Sequence, residues 1–346
     1  MYPLAEDHGV LGLLAERLLV LDEAEVPPEI RRRLQERQRA QLFSALSMSA
    51  ELFRLLALFA AADIEVVTIK GPALSVRAYG DPAIRQYADL DLLVRDRNIL
   101  RATEVMMEAG YNPRVSLSTI KAEKVPGEYL FSGTRIKQTI DFHTERTCRY
   151  YPRPVPVERL FERKVRVPLD SQEAPALSAE DELIFISVHG AKHLWERLIW
   201  IADVAALVSR QKTIDWNYVY KAAHETGAGH MVDVGLRLAG ELLEAPLPEG
   251  IWEKVRTNPI AGKLSQQILE WLPAAGSHQP GIAARASFRV RMCDSFLSGA
   301  AYLLRLSLSP TEQDWQEDPA RKHHSLMEVL GRPFRLIRKY GREPKV

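Results

Sequence analysis

A short block of strand-forming sequence interrupts a chain that otherwise has the apolar spacing of helices. Before residue 63, leucines recur at helical spacing, and good helix formers dominate from Ile30 onward. Residues 64–69 are β-branched and residues 87–94 form a second apolar run, which together predict strands. Residues 129–131 and 136–143 surround a Ser-Gly-Thr turn and predict a hairpin. We therefore predict an α+β protein with a small mixed sheet.

Three segments follow from this distribution. Residues 1–62 are predicted as an N-terminal helical segment, 63–170 as the α/β core and 171–346 as a C-terminal all-helical domain. A proline-rich passage from Pro152 to Pro175 leads out of the core. Beyond it, Ser178 is the expected N-cap of a helix, with Asp181 in its first turn. The expected helices after the first strand cover residues 73–79, 98–109, 179–209, 215–226, 230–244, 249–272, 282–306 and 325–340.

Composition excludes several broad classes. The 346 residues are 46% hydrophobic and 26% charged, as in ordinary globular proteins and unlike disordered or fibrous chains. The formal net charge of +1 lacks the basic excess of a binder of long nucleic acid. The basic residues between 332 and 345 are interpreted as a solvated helix face and tail. The N-terminus lacks a basic run followed by an apolar one, so we expect no signal peptide. The two cysteines form neither a disulfide framework nor a zinc site, so we expect reduced thiols in a cytoplasmic protein. The apolar stretch over residues 295–308 is too short to span a membrane, so we expect no membrane partner.

Two carboxylates lie on one face of the second predicted strand. Strand side chains alternate, so Asp89 and Asp91 project together while Leu90 and Leu92 project to the other face. Such close carboxylates repel each other unless a cation lies between them. Carboxylate oxygens suit Mg²⁺, which also binds phosphate. An isolated Asp-x-Asp also occurs by chance on solvent-exposed strands, so the surrounding sequence matters.

A strand-to-helix turn precedes this pair by about one helix. Lys70 and Gly71 end the first strand, and Pro72 suits the first turn of a helix. A glycine and a helix N-terminus let phosphate approach the backbone N–H groups, and Lys70 adds a positive charge. Taken alone, Gly71 is better explained as a plain strand-to-helix turn. Together with Asp89 and Asp91, it favours a phosphate-binding turn.

A third carboxylate, Asp141, lies in the last strand of the predicted hairpin and shares a face with His143. If that strand lies beside the one with Asp89 and Asp91, all three carboxylates meet. A third carboxylate can bind a second metal and help to deprotonate an attacking hydroxyl. The alternative is a surface aspartate on an edge strand.

The ordered set of motifs resembles the bacterial nucleotidyltransferase family of the polymerase-β superfamily. The resemblance rests on Lys70-Gly71-Pro72-Ala73-Leu74, Tyr79-Gly80-Asp81-Pro82, Arg85, Asp89-Leu90-Asp91-Leu92-Leu93-Val94, Gly110-Tyr111, Ile140-Asp141-Phe142-His143 and the later Leu177-Ser178-Ala179-Glu180-Asp181 with His189 and Asp203. It implies a nucleotidyltransferase core, with Asp89, Asp91 and Asp141 as metal ligands and catalytic carboxylates. It also implies Mg²⁺ or Mn²⁺ as cofactor and a nucleoside triphosphate, such as ATP, as co-substrate.

The chain departs from the wider superfamily at the glycine turn. Pro72 stands where the superfamily usually has Ser, and the gap between Gly71 and the first carboxylate is longer. We infer that Lys70 and Arg85 supply the charge that neutralises the triphosphate. His143, on the face of Asp141, and His189, by the resemblance, complete the residues predicted to bind nucleotide.

The predicted reaction moves a nucleoside monophosphate from the triphosphate to a hydroxyl or phosphate of an acceptor and releases pyrophosphate. We expect the acceptor to be a small molecule, a peptide or a protein side chain, and the sequence does not separate these from an RNA end. Some members of the family resemble accessory enzymes of peptide natural-product clusters. Two alternatives stay open at this point. One is a catalytically silent nucleotide-binding regulator of the antitoxin kind, and the other is a helical scaffold of a biosynthetic complex.

Overall fold

The computed structural model describes residues 2–22, 25–121, 128–133, 139–145, 150–272, 280–308 and 331. Within these residues, seven strands form one mixed sheet. The strands are β1 (Val66–Ile69), β2 (Asp89–Val94), β3 (Tyr111–Pro113), β4 (Glu128–Gly133), β5 (Thr139–His143), β6 (Val165–Leu169) and β7 (Gln172–Ala176). Their order across the sheet is β3-β4-β5-β2-β1-β7-β6.

Helices lie before, between and after the strands, as the predicted α+β class requires. The N-terminal helices are α1 (Tyr2–Asp7), α2 (Leu11–Leu18) and α3 (Pro28–Ala61). Those between strands are α4 (Gly71–Tyr79), α5 (Ile99–Glu108), α6 (Leu117–Lys121) and α7 (Val157–Glu162). The later helices are α8 (Ala179–Lys192), α9 (Leu198–Arg210), α10 (Trp216–Thr226), α11 (Gly229–Leu243), α12 (Glu249–Thr257), α13 (Pro259–Trp271), α14 (Ile282–Arg291) and α15 (Phe296–Leu308).

The centre of the sheet brings together strands that are distant in sequence. β2 pairs antiparallel with β1 and parallel with β5. β5 pairs antiparallel with β4, as the predicted hairpin requires. On its other side, β1 pairs parallel with β7. The strand that carries Asp89 and Asp91 is therefore central, flanked by the strand that leads into Lys70 and by the strand that carries Asp141.

The two faces of the sheet bury different cores. On one face, Leu90, Leu92 and Val94 join a buried cluster with α3 and α5. On the other face, Leu93 joins a cluster with α4, α8, α9 and α11. Because side chains alternate, Asp89 and Asp91 lie on the Leu93 face. Apolar burial, at roughly 2 kcal/mol for each fully buried leucine, therefore fixes the carboxylate face against the C-terminal helices.

The proline-rich passage contains a hairpin that the sequence analysis does not predict. β6 and β7 pair antiparallel and extend the central sheet, so the predicted boundary at residue 170 falls in their turn. Pro168 lies on edge strand β6, where a missing N–H is tolerated. The expected N-cap of α8 is confirmed: the Ser178 hydroxyl accepts a hydrogen bond from the Asp181 N–H at 3.2 Å.

Three long predicted helices are each divided in two. The helix predicted over residues 179–209 breaks at Leu194 and Trp195, which both have positive φ angles. Trp195 folds back against Gly190, where any Cβ would lie 2.6 Å from the indole ring. The helix predicted over 249–272 breaks at Asn258, whose side chain caps α13. The helix predicted over 282–306 breaks between α14 and α15, and the one predicted over 325–340 lies outside the described residues together with the basic tail.

Helix α3 is both long and apolar. Among the helices of the described residues, it is the one that could cross a membrane by length and composition, with an 18-residue window of mean hydropathy 1.6. Of that window, 33% is buried inside the protein. Met48, Leu52 and Phe59 on α3 are fully buried against the sheet. Core packing accounts for the apolar character of this side of α3.

Candidate functional site

The parallel pairing of β2 with β5 places three carboxylates side by side. In this register Asp91 lies opposite Asp141, and Asp89 lies opposite Thr139. Alternation along β2 keeps Asp89 on the same face as Asp91. Asp91 is buried, whereas Asp89 and Asp141 are half-buried. The structure therefore brings together the three carboxylates that the sequence analysis selects.

His143 lies among these carboxylates. Its Nε2 is 2.6 Å from Asp91 Oδ1 and 3.5 Å from Asp141 Oδ2. Three possible ligand atoms, one from each of Asp91, Asp141 and His143, all lie within 4.8 Å of one another. His143 is predicted from the sequence to bind nucleotide, and the structure places its ring directly beside the two carboxylates.

Lys70 approaches Asp91 from the neighbouring strand. Its Nζ is 3.1 Å from Asp91 Oδ2, and both side chains are about nine-tenths buried or more. Lys70 has a φ of 52° and the following Gly71 a φ of 51°. A positive φ is unfavourable for a lysine and is maintained only when the surroundings enforce it. The turn at the end of β1 is thus built to direct the Lys70 side chain at the carboxylates.

Glu182 of α8 enforces that turn. Its Oε1 accepts a hydrogen bond from the Lys70 N–H at 3.1 Å, and its carboxylate is completely buried. Its Oε2 lies 3.9 Å from Arg77 NH1, beyond hydrogen-bond distance. Burial raises the pKa of Glu182 to about 7, although the Arg77 guanidinium opposes the shift. Glu182 is not predicted as a site residue from the sequence, since no local pattern links residues 112 positions apart.

Electrostatics distinguish the two carboxylates of β2. Burial by itself raises the pKa of Asp91, but Lys70 and His143 outweigh it and hold that pKa well below its ordinary value. For Asp89, the negative charge of Asp91 and then burial raise the pKa. Burial lowers the pKa of His143, yet Asp141 and Asp91 bring it above the ordinary value. A cation beside Asp89 and Asp91 would therefore relieve a repulsion that Lys70 relieves only in part.

A cavity of about 180 Å³ opens over the carboxylates and is closed on its other side by α8. Phe185, Val188, His189 and Lys192 of α8 line it at helical spacing. That spacing is the signal that would have identified this wall from the sequence. The remaining lining residues are Lys70, Asp89, Asp91, Asp141, His143, Tyr150, Tyr151 and His193.

The family described as uncharacterised nucleotidyltransferases matches residues 1–244. The chain belongs to this nucleotidyltransferase family. The match covers the sheet with its three carboxylates and the helices α8 to α11. Among curated proteins, none matches the chain.

In this member of the family, Arg85 lies apart from the cavity lining. Its Nε donates to both carboxylate oxygens of Asp203, at 2.9 Å and 3.0 Å, and both residues are buried. Tyr79 also donates to Asp203, at 2.9 Å. Arg85 thus joins the core to α9 through a buried ion pair with Asp203. The sequence predicts a contact between Arg85 and the triphosphate, and the structure instead shows this ion pair. Gly71, also predicted to bind nucleotide, is buried at the start of α4.

His189 lines the cavity and is held in an aromatic group. Its ring centroid lies 4.8 Å from that of His193 and 5.6 Å from that of Trp200. Burial, followed by the positive charge of Lys70, lowers the pKa of His189 well below its ordinary value. A neutral imidazole can donate one hydrogen bond and accept another. His189 therefore offers the cavity a neutral polar group.

The side chains of the site fit a divalent cation. Carboxylate oxygens are the ligands that Mg²⁺ prefers, and imidazole nitrogen is better suited to Mn²⁺ and other transition metals. Opposite ligands of an octahedral ion lie about 4.2 Å apart, at bonds of about 2.1 Å. The 4.8 Å spread of the Asp91, Asp141 and His143 ligand atoms exceeds this by little. Small side-chain movements would bring these atoms to coordination distance.

Proposed function

We propose that this protein is a metal-dependent nucleotidyltransferase that moves a nucleoside monophosphate from a nucleoside triphosphate to a hydroxyl or phosphate of an acceptor, releasing pyrophosphate. The observation that carries the proposal is the register between β2 and β5, which sets Asp141 beside Asp91 at the base of a cavity. Family membership supports the reaction class. Asp89, Asp91 and Asp141 are the proposed metal ligands, and Mg²⁺ or Mn²⁺ is the proposed cofactor.

Asp89, Asp91 and Asp141 would hold the metal, which when bound would supply positive charge to neutralise the triphosphate and polarise its α-phosphoryl group. Lys70 contacts the same phosphates, because its buried ammonium already lies at the carboxylates. Asp141 orients the acceptor hydroxyl and accepts its proton, since it is more exposed to the cavity than Asp91. Glu182 holds the Lys70 backbone in position.

The wall formed by α8, together with the neighbouring Tyr150, is the proposed binding surface for the nucleoside and the acceptor. Phe185 and Tyr150 offer apolar and aromatic surface, and His189 and Lys192 offer polar groups. The Lys192 Nζ lies 3.9 Å from the centre of the Tyr150 ring. Such a wall suits planar bases and small polar acceptors, peptides or protein side chains, which are the acceptor classes that we propose.

Calorimetric titration of ATP, GTP, CTP and UTP with Mg²⁺ tests the donor site. We expect at least one nucleotide to bind the wild type and to lose binding in the variant Asp89→Ala/Asp91→Ala. The matched control is Glu104→Ala/Glu108→Ala, which removes two exposed carboxylates from α5 and should leave binding unchanged. Binding that ignores Mg²⁺ and the aspartate pair would refute the metal site. Nucleotide binding without release of pyrophosphate from the triphosphate, whichever acceptor is supplied, would favour the silent regulator.

A further inference from the structure

Both oxygens of Asp91 are engaged by neighbouring side chains. The Lys70 Nζ lies 3.1 Å from Oδ2, and the His143 Nε2 lies 2.6 Å from Oδ1. Asp91 is also one of the three candidate metal ligands, together with Asp141 and His143. A divalent cation that binds Asp91 must therefore share this carboxylate with an ammonium group or replace that group.

The ammonium is placed there by the fold. The Lys70 backbone has a positive φ, and a buried carboxylate, Glu182, accepts its N–H. The lysine side chain has four rotatable bonds beyond this fixed backbone, so its end can move while its origin stays in place. Lys70 is thus anchored at one end and movable at the other.

We propose that Lys70 is an exchangeable counter-ion of Asp91, displaced by the divalent cation and thereby released to bind the triphosphate. The inference rests on the proposed function and adds a coupling between its two ligands. Two cations within a few ångströms repel each other in a poorly solvated site, so ammonium and metal do not occupy the same carboxylate oxygen together. The released ammonium then meets the negatively charged phosphates that the metal also contacts.

The exchange makes opposite predictions for the two ligands. Without Lys70, the metal alone meets no competing ammonium group at Asp91 Oδ2 and binds more tightly. The metal–nucleotide complex loses a cation that contacts its phosphates and binds more weakly. If Lys70 only supported the fold, its loss would weaken binding of both the metal and the metal–nucleotide complex. If Lys70 only bound phosphate, its loss would leave the affinity for the metal alone unchanged.

Electron paramagnetic resonance titration of Mn²⁺ on the nucleotide-free protein measures the first arm. We expect Lys70→Met to bind Mn²⁺ about tenfold more tightly than the wild type, a coupling of ordinary size. Lys70→Arg retains a cation and should bind Mn²⁺ as weakly as the wild type. Lys192→Met, which removes a charge from the opposite wall of the cavity, is the matched control and should change Mn²⁺ affinity little.

Calorimetry with Mn²⁺·ATP measures the second arm, where Lys70→Met should bind more weakly than the wild type. Lys70→Gln serves as a second neutral variant, and circular dichroism verifies the fold of each. The wild type and Lys70→Met could bind Mn²⁺ with equal affinity, and Asp91→Ala could abolish that binding in both. This result would overturn the proposed exchange and would still support the metal site. Absence of Mn²⁺ binding in every variant would overturn the exchange and the proposed function together.

Discussion

Replacing Glu182 with Gln removes a titrating group from the completely buried position that holds the Lys70 turn. The amide oxygen of Gln can still accept the Lys70 N–H, so the main change is the loss of a carboxyl that can ionise. Burial raises the pKa of Glu182 from an ordinary 4.5 to about 7. The folded protein therefore holds this proton across a range of pH in which the unfolded chain has already released it.

The sign and size of the effect follow from linkage. Below pH 4.5 the carboxyl is neutral in both states and has no effect on the pH dependence of stability. Between pH 4.5 and about 7 the folded state binds more protons, so the free energy of unfolding falls as pH rises. One pKa unit corresponds to about 1.4 kcal/mol, which gives a total loss of about 3 kcal/mol above pH 7. The Glu182→Gln variant lacks this loss.

Urea unfolding of both proteins at pH values from 4.5 to 8 measures the difference. We expect the stability of Glu182→Gln relative to the wild type to rise by about 3 kcal/mol between pH 4.5 and pH 8. The prediction concerns how the difference in free energy of unfolding between the two proteins changes with pH. A destabilisation by the amide that is the same at every pH therefore does not affect it. Two parallel stability curves would refute the claim that Glu182 is protonated in the folded protein near neutrality.

Three further substitutions test separate parts of the account. Asp141→Asn should lower turnover by a factor of about 10² to 10⁴, the usual value for a proton acceptor, as measured by pyrophosphate release. Asp203→Asn should lower the free energy of unfolding by about 3 kcal/mol, since Arg85 keeps its charge in a buried position. Gly12→Ala should lower it by about 1–3 kcal/mol, because a Cβ there would lie 2.1 Å from the Ile84 carbonyl oxygen. Urea unfolding measures both losses.

Each of these three predictions has a control variant or an outcome that would contradict it. Gly250→Ala adds the same methyl group where no atom lies within 4 Å and should leave stability unchanged or higher. Adding Arg85→Met to Asp203→Asn removes the unpaired buried charge and should recover part of the lost free energy of unfolding. A further loss of similar size would contradict the claim that the unpaired Arg85 charge destabilises the Asp203→Asn variant. Wild-type turnover in Asp141→Asn would exclude Asp141 as the proton acceptor.

Local patterns in the sequence predicted the parts of the site that local geometry determines. Period-two alternation places Asp89 and Asp91 on one face of β2 whatever surrounds the strand. The start of α8 likewise follows from Ser178 and Asp181, three positions apart. Both features depend on neighbouring residues only, so the sequence carries them directly.

Contacts between distant segments carry no such signal. Arg85 and Asp203 are 118 positions apart, and only the packing of α9 against the core brings them together. The prediction that Arg85 contacts phosphate therefore did not take Asp203 into account. The hairpin of β6 and β7 is hidden by Pro168 and Pro175, which weaken the pattern of a strand without excluding it. The place of His143 beside Asp91 depends on the register between β2 and β5.

Transfer of label from nucleoside triphosphates tests the central claim most directly. The wild type and Asp91→Ala are each incubated with Mg²⁺, an extract of the source cells, and triphosphates labelled at either the α- or the γ-phosphorus. A nucleotidyltransferase should move only the α-label to an acceptor, should release the γ-label as pyrophosphate, and should do neither in Asp91→Ala. Transfer of the γ-label to the acceptor, or transfer of the α-label that survives the loss of Asp91, would contradict the account.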